Sequence, residues 1–168
     1  MFGCLKEAYS FDFRMTHDIG CDPKYAEYEV VCSVRNPYLR ALSVWKWMNL
    51  ISESAYHPDS FPDFVHHPFP VTRKNGVPGH IFPVTFVLGP RIEDVDYFIH
   101  LECLEKDLKK IPSFPKDFKF RENTFQSSYH LSPKEYYADQ SVADRIWDIY
   151  REDFETFGYA RDSYMTER

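Results

Sequence analysis

The chain has 168 residues, 43% hydrophobic and 18% aromatic, enough for one domain with a genuine core and too apolar for a disordered segment. Its formal net charge of −6 argues against a nucleic-acid partner, because such binding draws on counterions released when Lys and Arg neutralise phosphates. No apolar run reaches the roughly 20 residues that span a bilayer, so no membrane partner is expected, and the first residues lack the basic-then-apolar order of a signal peptide.

In chain order, Phe2, Leu5 and Tyr9 of MFGCLKEAYSF are spaced like the buried stripe of a helix. Val30, Val31, Cys32 and Val34 form the β-branched apolar run of a strand buried on both faces of a parallel sheet. The four cysteines make no C-x-x-C pair, so buried reduced thiols and a cytoplasmic location are the expectation. Arg35 leaves at the carboxyl end of this strand. Asn36 is a favoured helix N-cap and Pro37 suits the first helical turn, so a helix is expected from here to about Ile51, with its free amides aimed at the sheet edge. Such a helix start beside a guanidinium favours phosphate or sulfate, through N–H donors, the helix dipole and the bidentate fork of arginine. Arg40 and Ser43 follow Asn36 by four and seven residues and share one helical face, so Arg35, Arg40 and Ser43 make a candidate phosphate site.

Residues 52 to 82 hold five prolines, four histidines and the turn signal Lys74-Asn75-Gly76, and read as a long irregular insertion. Its adjacent His66 and His67 point in different directions, and no Cys or acidic partner follows at zinc-ligand spacing, so no metal is expected. Pro83 to Leu88 reads as a second strand and Tyr97 to Leu101 as a third, with a helix from about Cys103 to Lys110. This alternation predicts an α/β fold, a parallel sheet flanked by helices with ligands at its carboxyl edge. Residues 112 to 140 show no clear period. The closing helix carries Val142, Ile146, Ile149, Phe154 and Phe157 as a buried stripe and stops at Gly158.

The run R-N-P-Y-x-R-x-x-S, from Arg35 to Ser43, resembles the 3′-phosphate-binding motif of sulfotransferases that use 3′-phosphoadenosine 5′-phosphosulfate (PAPS), particularly the Golgi carbohydrate type and its short microbial and viral relatives. DYFIHLECLEKDLKKI (96 to 111) is similar to the family's late strand, acidic residue and leucine-rich helix, and VADRIWDIYREDFETFGY (142 to 159) resembles its closing helix. The resemblance implies a single sulfotransferase-like domain over 1–168, a P-loop-type sheet, PAPS as sulfate donor and no metal. Arg35 and Ser43 would hold the nucleotide 3′-phosphate, and Arg40 matches the motif's second arginine. The insertion would contact the acceptor, a carbohydrate or small molecule bearing a hydroxyl. Arg121, Asn123, Ser127 and Ser128 would lie in a loop that closes over the nucleotide.

By the same resemblance His17, 18 residues before Arg35, would be the catalytic base, and an imidazole titrating near neutrality suits that task. Glu102 matches the family's acidic position; read alone, it is a helix-start carboxylate stabilised by the dipole. Relatives usually begin with a strand and a Lys-, Gly- and Ser- or Thr-containing loop that holds the 5′-phosphosulfate. None of Gly3, Gly20, Gly76, Gly79, Gly89 or Gly158 sits in such a loop, so that strand and loop are expected to be missing here. The alternative reading is a catalytically inactive module that keeps the fold and the 3′-phosphate half-site and binds a nucleotide or a protein.

Overall fold

Two short apolar segments pair in parallel, and everything that concerns the site is arranged around their common edge. In the computed structural model, residues 28–50, 59–66, 81–118 and 132–165 are described. Strand β1 is Val31–Val34 and β2 is Tyr97–His100, in register from Val31 opposite Tyr97 to Val34 opposite His100. Parallel pairing puts both carboxyl ends, and therefore Arg35 and Leu101, on one edge. The opposite end is closed by Asp96, whose carboxylate accepts the Val30 N–H at 2.7 Å, while the Val30 carbonyl accepts the Asp96 and Tyr97 amides.

Helices α1 (Pro37–Leu50), α2 (Phe61–His66), α3 (Val84–Leu88), α4 (Leu104–Leu108), α5 (Pro133–Tyr136) and α6 (Gln140–Phe157) follow in chain order. The strand expected at Pro83 to Leu88 is instead α3. A five- or six-residue apolar run satisfies either period, and here the first-turn amides of Val84 and Thr85 are taken by the carboxylate of Asp153 on α6, which fixes a helix start. Among the described residues the sheet is therefore the β1–β2 pair. The insertion expected at about 52–82 contains α2; its residues 52 to 58 and 67 to 80, the expected helix near residue 1 and residues 119 to 131 lie outside the described residues.

The main core forms where α1 meets α2, α5 and α6. Tyr38, Leu42 and Met48 of α1 pack with Phe61 and Phe64 of α2 and with Val142, Ile146 and Phe154 of α6. Tyr38 is its centre, with ring centroids 4.9 Å from Tyr137, Phe154 and Tyr164. Each such buried aromatic contributes about 2 to 3 kcal/mol of transfer free energy. A second cluster, Ile99, Leu108, Ile111, Phe114 and Phe118, covers β2. Helix α6 departs from helical geometry at Tyr150 (φ −111°, ψ 20°); its buried face takes in Tyr150 and Asp153, and the expected Ile149 is partly buried beside them. It ends at Gly158 with φ 72°, the left-handed conformation that glycine adopts at little cost. The following amide, of Tyr159, returns to the Phe154 carbonyl at 2.9 Å, as in a Schellman cap.

Candidate functional site

The corner between β1 and α1 is built around Asn36, which is 5% exposed. Its side-chain oxygen accepts the Tyr38 N–H at 3.0 Å, its side-chain nitrogen donates to the Ser163 hydroxyl at 2.9 Å, and its carbonyl accepts the Arg40 amide at 2.8 Å. Asn36 thus acts as the N-cap that its position implied. The expected free amides are a different matter. Pro37 has no N–H and that of Tyr38 is already taken by the cap, so the attraction of this corner for an anion rests on side chains and the helix dipole rather than on these donors.

Arg35 is partly buried and follows directly on β1 at the carboxyl edge. Ser43, in the second turn of α1, is also partly buried. Arg40 turns inward. Its Nη1 lies 3.3 Å from the Asp153 carboxylate, the two side chains being 16% and 3% exposed, and its guanidinium carbon sits 5.8 Å from the centre of the Tyr150 ring. Asp153 receives Arg40, the Val84 amide (2.8 Å), the Thr85 amide (2.9 Å) and the Thr85 hydroxyl (2.8 Å). One carboxylate therefore joins α1, α3 and α6. A buried charge is tolerated only when paired and hydrogen-bonded, and this pair meets both conditions. The positive charge of Arg40 is balanced inside the protein by Asp153. Burial raises the pKa of the neighbouring Cys32 thiol, with Arg40 acting against it, so Cys32 is a protonated thiol at neutral pH.

Two side chains from the end of β2 complete the edge. Glu102 accepts the Asn36 N–H with Oε1 at 3.0 Å and the Tyr159 hydroxyl with Oε2 at 3.0 Å. Burial, and then the adjacent Glu102 carboxylate, push the Tyr159 hydroxyl well above its ordinary pKa, so it remains a donor. His100 places Nδ1 2.9 Å from the Asp107 carboxylate and Nε2 3.1 Å from the Phe157 carbonyl, so its ring bridges two acceptors. Together these bonds fasten the exit of α6 to the carboxyl end of β2.

His17 lies outside the described residues, as do Arg121, Asn123, Ser127 and Ser128. Asp153 was not anticipated, although an acid at the i+3 position after Tyr150, on the apolar side of the closing helix, is the kind of residue that is buried only when paired. Among the described residues no group of three or more His, Cys, Asp or Glu is placed to hold a metal, and no helix is long and apolar enough to cross a membrane.

A sequence model described as the sulfotransferase family matches residues 5–160. The chain belongs to the sulfotransferase family. The match takes in the Arg35 corner, β2 with Glu102 and the whole closing helix with its cap. Searches of curated proteins and of solved structures returned no match. Membership supports a transferase role for this sulfotransferase, with an activated sulfate donor and an acceptor substrate.

Proposed function

We propose that this sulfotransferase moves a sulfuryl group from PAPS to a hydroxyl of a carbohydrate or small molecule. The observation that carries the reading is the place of Arg35, at the carboxyl edge of a parallel strand pair and directly before a buried helix cap, within a span matched by the family. A guanidinium at such an edge suits a phosphate ester, to which it can present two parallel N–H donors. Arg35 and Ser43 would hold the nucleotide 3′-phosphate. Arg40 would serve the same site indirectly, by anchoring α1 through Asp153.

Sulfuryl transfer asks for position and for a proton acceptor. As the acceptor oxygen bonds to sulfur, the bond from sulfur to the 5′-phosphate oxygen breaks, and adenosine 3′,5′-bisphosphate leaves. His17 is the proposed base that takes the acceptor's hydroxyl proton. Holding donor and acceptor in line supplies most of the rate, as in phosphoryl transfer.

The test is transfer of labelled sulfate from PAPS to a panel of hydroxyl acceptors. The unmodified protein is expected to label at least one of them; Arg35→Ala should lose both binding and transfer, and His17→Ala transfer alone. Bisphosphate binding with no transfer to any acceptor would favour the inactive module instead.

A further inference from the structure

Glu102 brings a negative charge to the edge proposed to hold a phosphate. It lies just past β2, on the edge where Arg35 leaves β1, so its negative charge is set beside the corner assigned to a phosphate. Its geometry supplies the reason. The Asn36 N–H that it accepts belongs to the same planar peptide unit as the Arg35 carbonyl. That unit also contains the Arg35 Cα and carbonyl carbon, so holding it restrains the backbone atoms from which the Arg35 side chain leaves the edge. The other carboxylate oxygen is held by the Tyr159 hydroxyl, and Tyr159 is itself held by the cap at Gly158. The peptide after Arg35 is thus referred, through one side chain, to the end of the longest described helix.

We propose that Glu102 is a positioning residue for nucleotide binding: it orients the peptide after Arg35 so that the guanidinium meets the 3′-phosphate, and this outweighs the repulsion between its own charge and that phosphate. The inference rests on Arg35 being the phosphate ligand. Glutamine in place of Glu102 can still accept the Asn36 N–H through its amide oxygen and can donate to the Tyr159 oxygen, without the charge. Alanine can do neither.

The two substitutions therefore separate orientation from charge. Calorimetric titration with adenosine 3′,5′-bisphosphate, well below the melting temperature of each variant, is expected to show binding weakened about tenfold in Glu102→Ala. Glu102→Gln should bind as tightly as the unmodified protein or more tightly. In an Arg35→Lys background, where there is no fork left to orient, Glu102→Ala should cost no more than about threefold. Binding that is unchanged or tighter in Glu102→Ala would overturn the positioning role, as would an equal loss in Glu102→Gln or a full tenfold loss in the Arg35→Lys background. Absence of binding by the unmodified protein would instead overturn the nucleotide reading, and this inference with it.

Discussion

Replacing Asp153 by alanine removes one carboxylate and strands four donors: Arg40 Nη1, the Val84 and Thr85 amides and the Thr85 hydroxyl. Arg40 would then keep a charge on a side chain that is only 16% exposed. Breaking a buried pair from one side costs about 3 to 5 kcal/mol, and the stranded amides of α3 add to it where water cannot reach them. We therefore expect about 4 kcal/mol of lost stability. For a chain of this length that corresponds to a melting temperature lower by roughly 8 to 16 °C. Urea unfolding followed by far-UV circular dichroism reads the free energy, and the double substitution Arg40→Met with Asp153→Leu supplies the control. With no charge left to bury, the double variant should lose less than Asp153→Ala alone. A loss under about 1 kcal/mol in Asp153→Ala, or a double variant that is worse than the single one, would refute the assignment of Asp153 as the joint between α1, α3 and α6.

Burial pushes the carboxyl of Asp107 up, but hydrogen bonds from Lys110 and from the backbone and ring of His100 outweigh it and lower it from 3.8 to about 2. Because the folded value lies below the unfolded one, the stabilisation is present above pH 4 and is lost as the pH falls toward 2. It amounts to about 2 kcal/mol, which Asp107→Asn should remove from the acid limb of a urea-unfolding profile; superimposable profiles would contradict this. Gly158→Ala meets no atom within 4 Å of the added Cβ, so its cost is the left-handed backbone alone. That is about 1 kcal/mol, or roughly 2 to 4 °C in thermal melting, and an unchanged melting temperature would count against the cap. Ser43→Ala is expected to weaken bisphosphate binding about fivefold, the worth of roughly one hydrogen bond, while leaving thermal stability within about 1 °C.

Local chemistry was the legible part of this chain. The valine-rich run, Asn36 followed by Pro37, and the glycine after the closing helix are read within a few residues, and each is found where the pattern put it. What escaped depends on residues far apart in sequence. Pro83 to Leu88 could have been either element until Asp153, some seventy positions later, supplied acceptors for a helix start. Arg40 and Ser43 share a helical face, and spacing alone cannot tell that the arginine turns inward to meet a buried acid. Glu102 was visible as an acid at a helix start, but its hold on the Asn36 amide required knowing that two strands are parallel and in register. The buried face of the closing helix takes in Tyr150 and Asp153 beside Val142, Ile146, Phe154 and Phe157, and a tyrosine and an acid are not residues that an apolar stripe picks out.

In the proposed function, nucleotide binding depends on Arg35 as the phosphate ligand. Isothermal titration of the protein with adenosine 3′,5′-bisphosphate, at low and at moderate salt, tests it most directly. Saturable binding that weakens with salt and disappears in Arg35→Ala, while the variant still unfolds in one cooperative thermal transition, is the result expected. Equal binding by the unmodified protein and Arg35→Ala, or no binding by either, would contradict it.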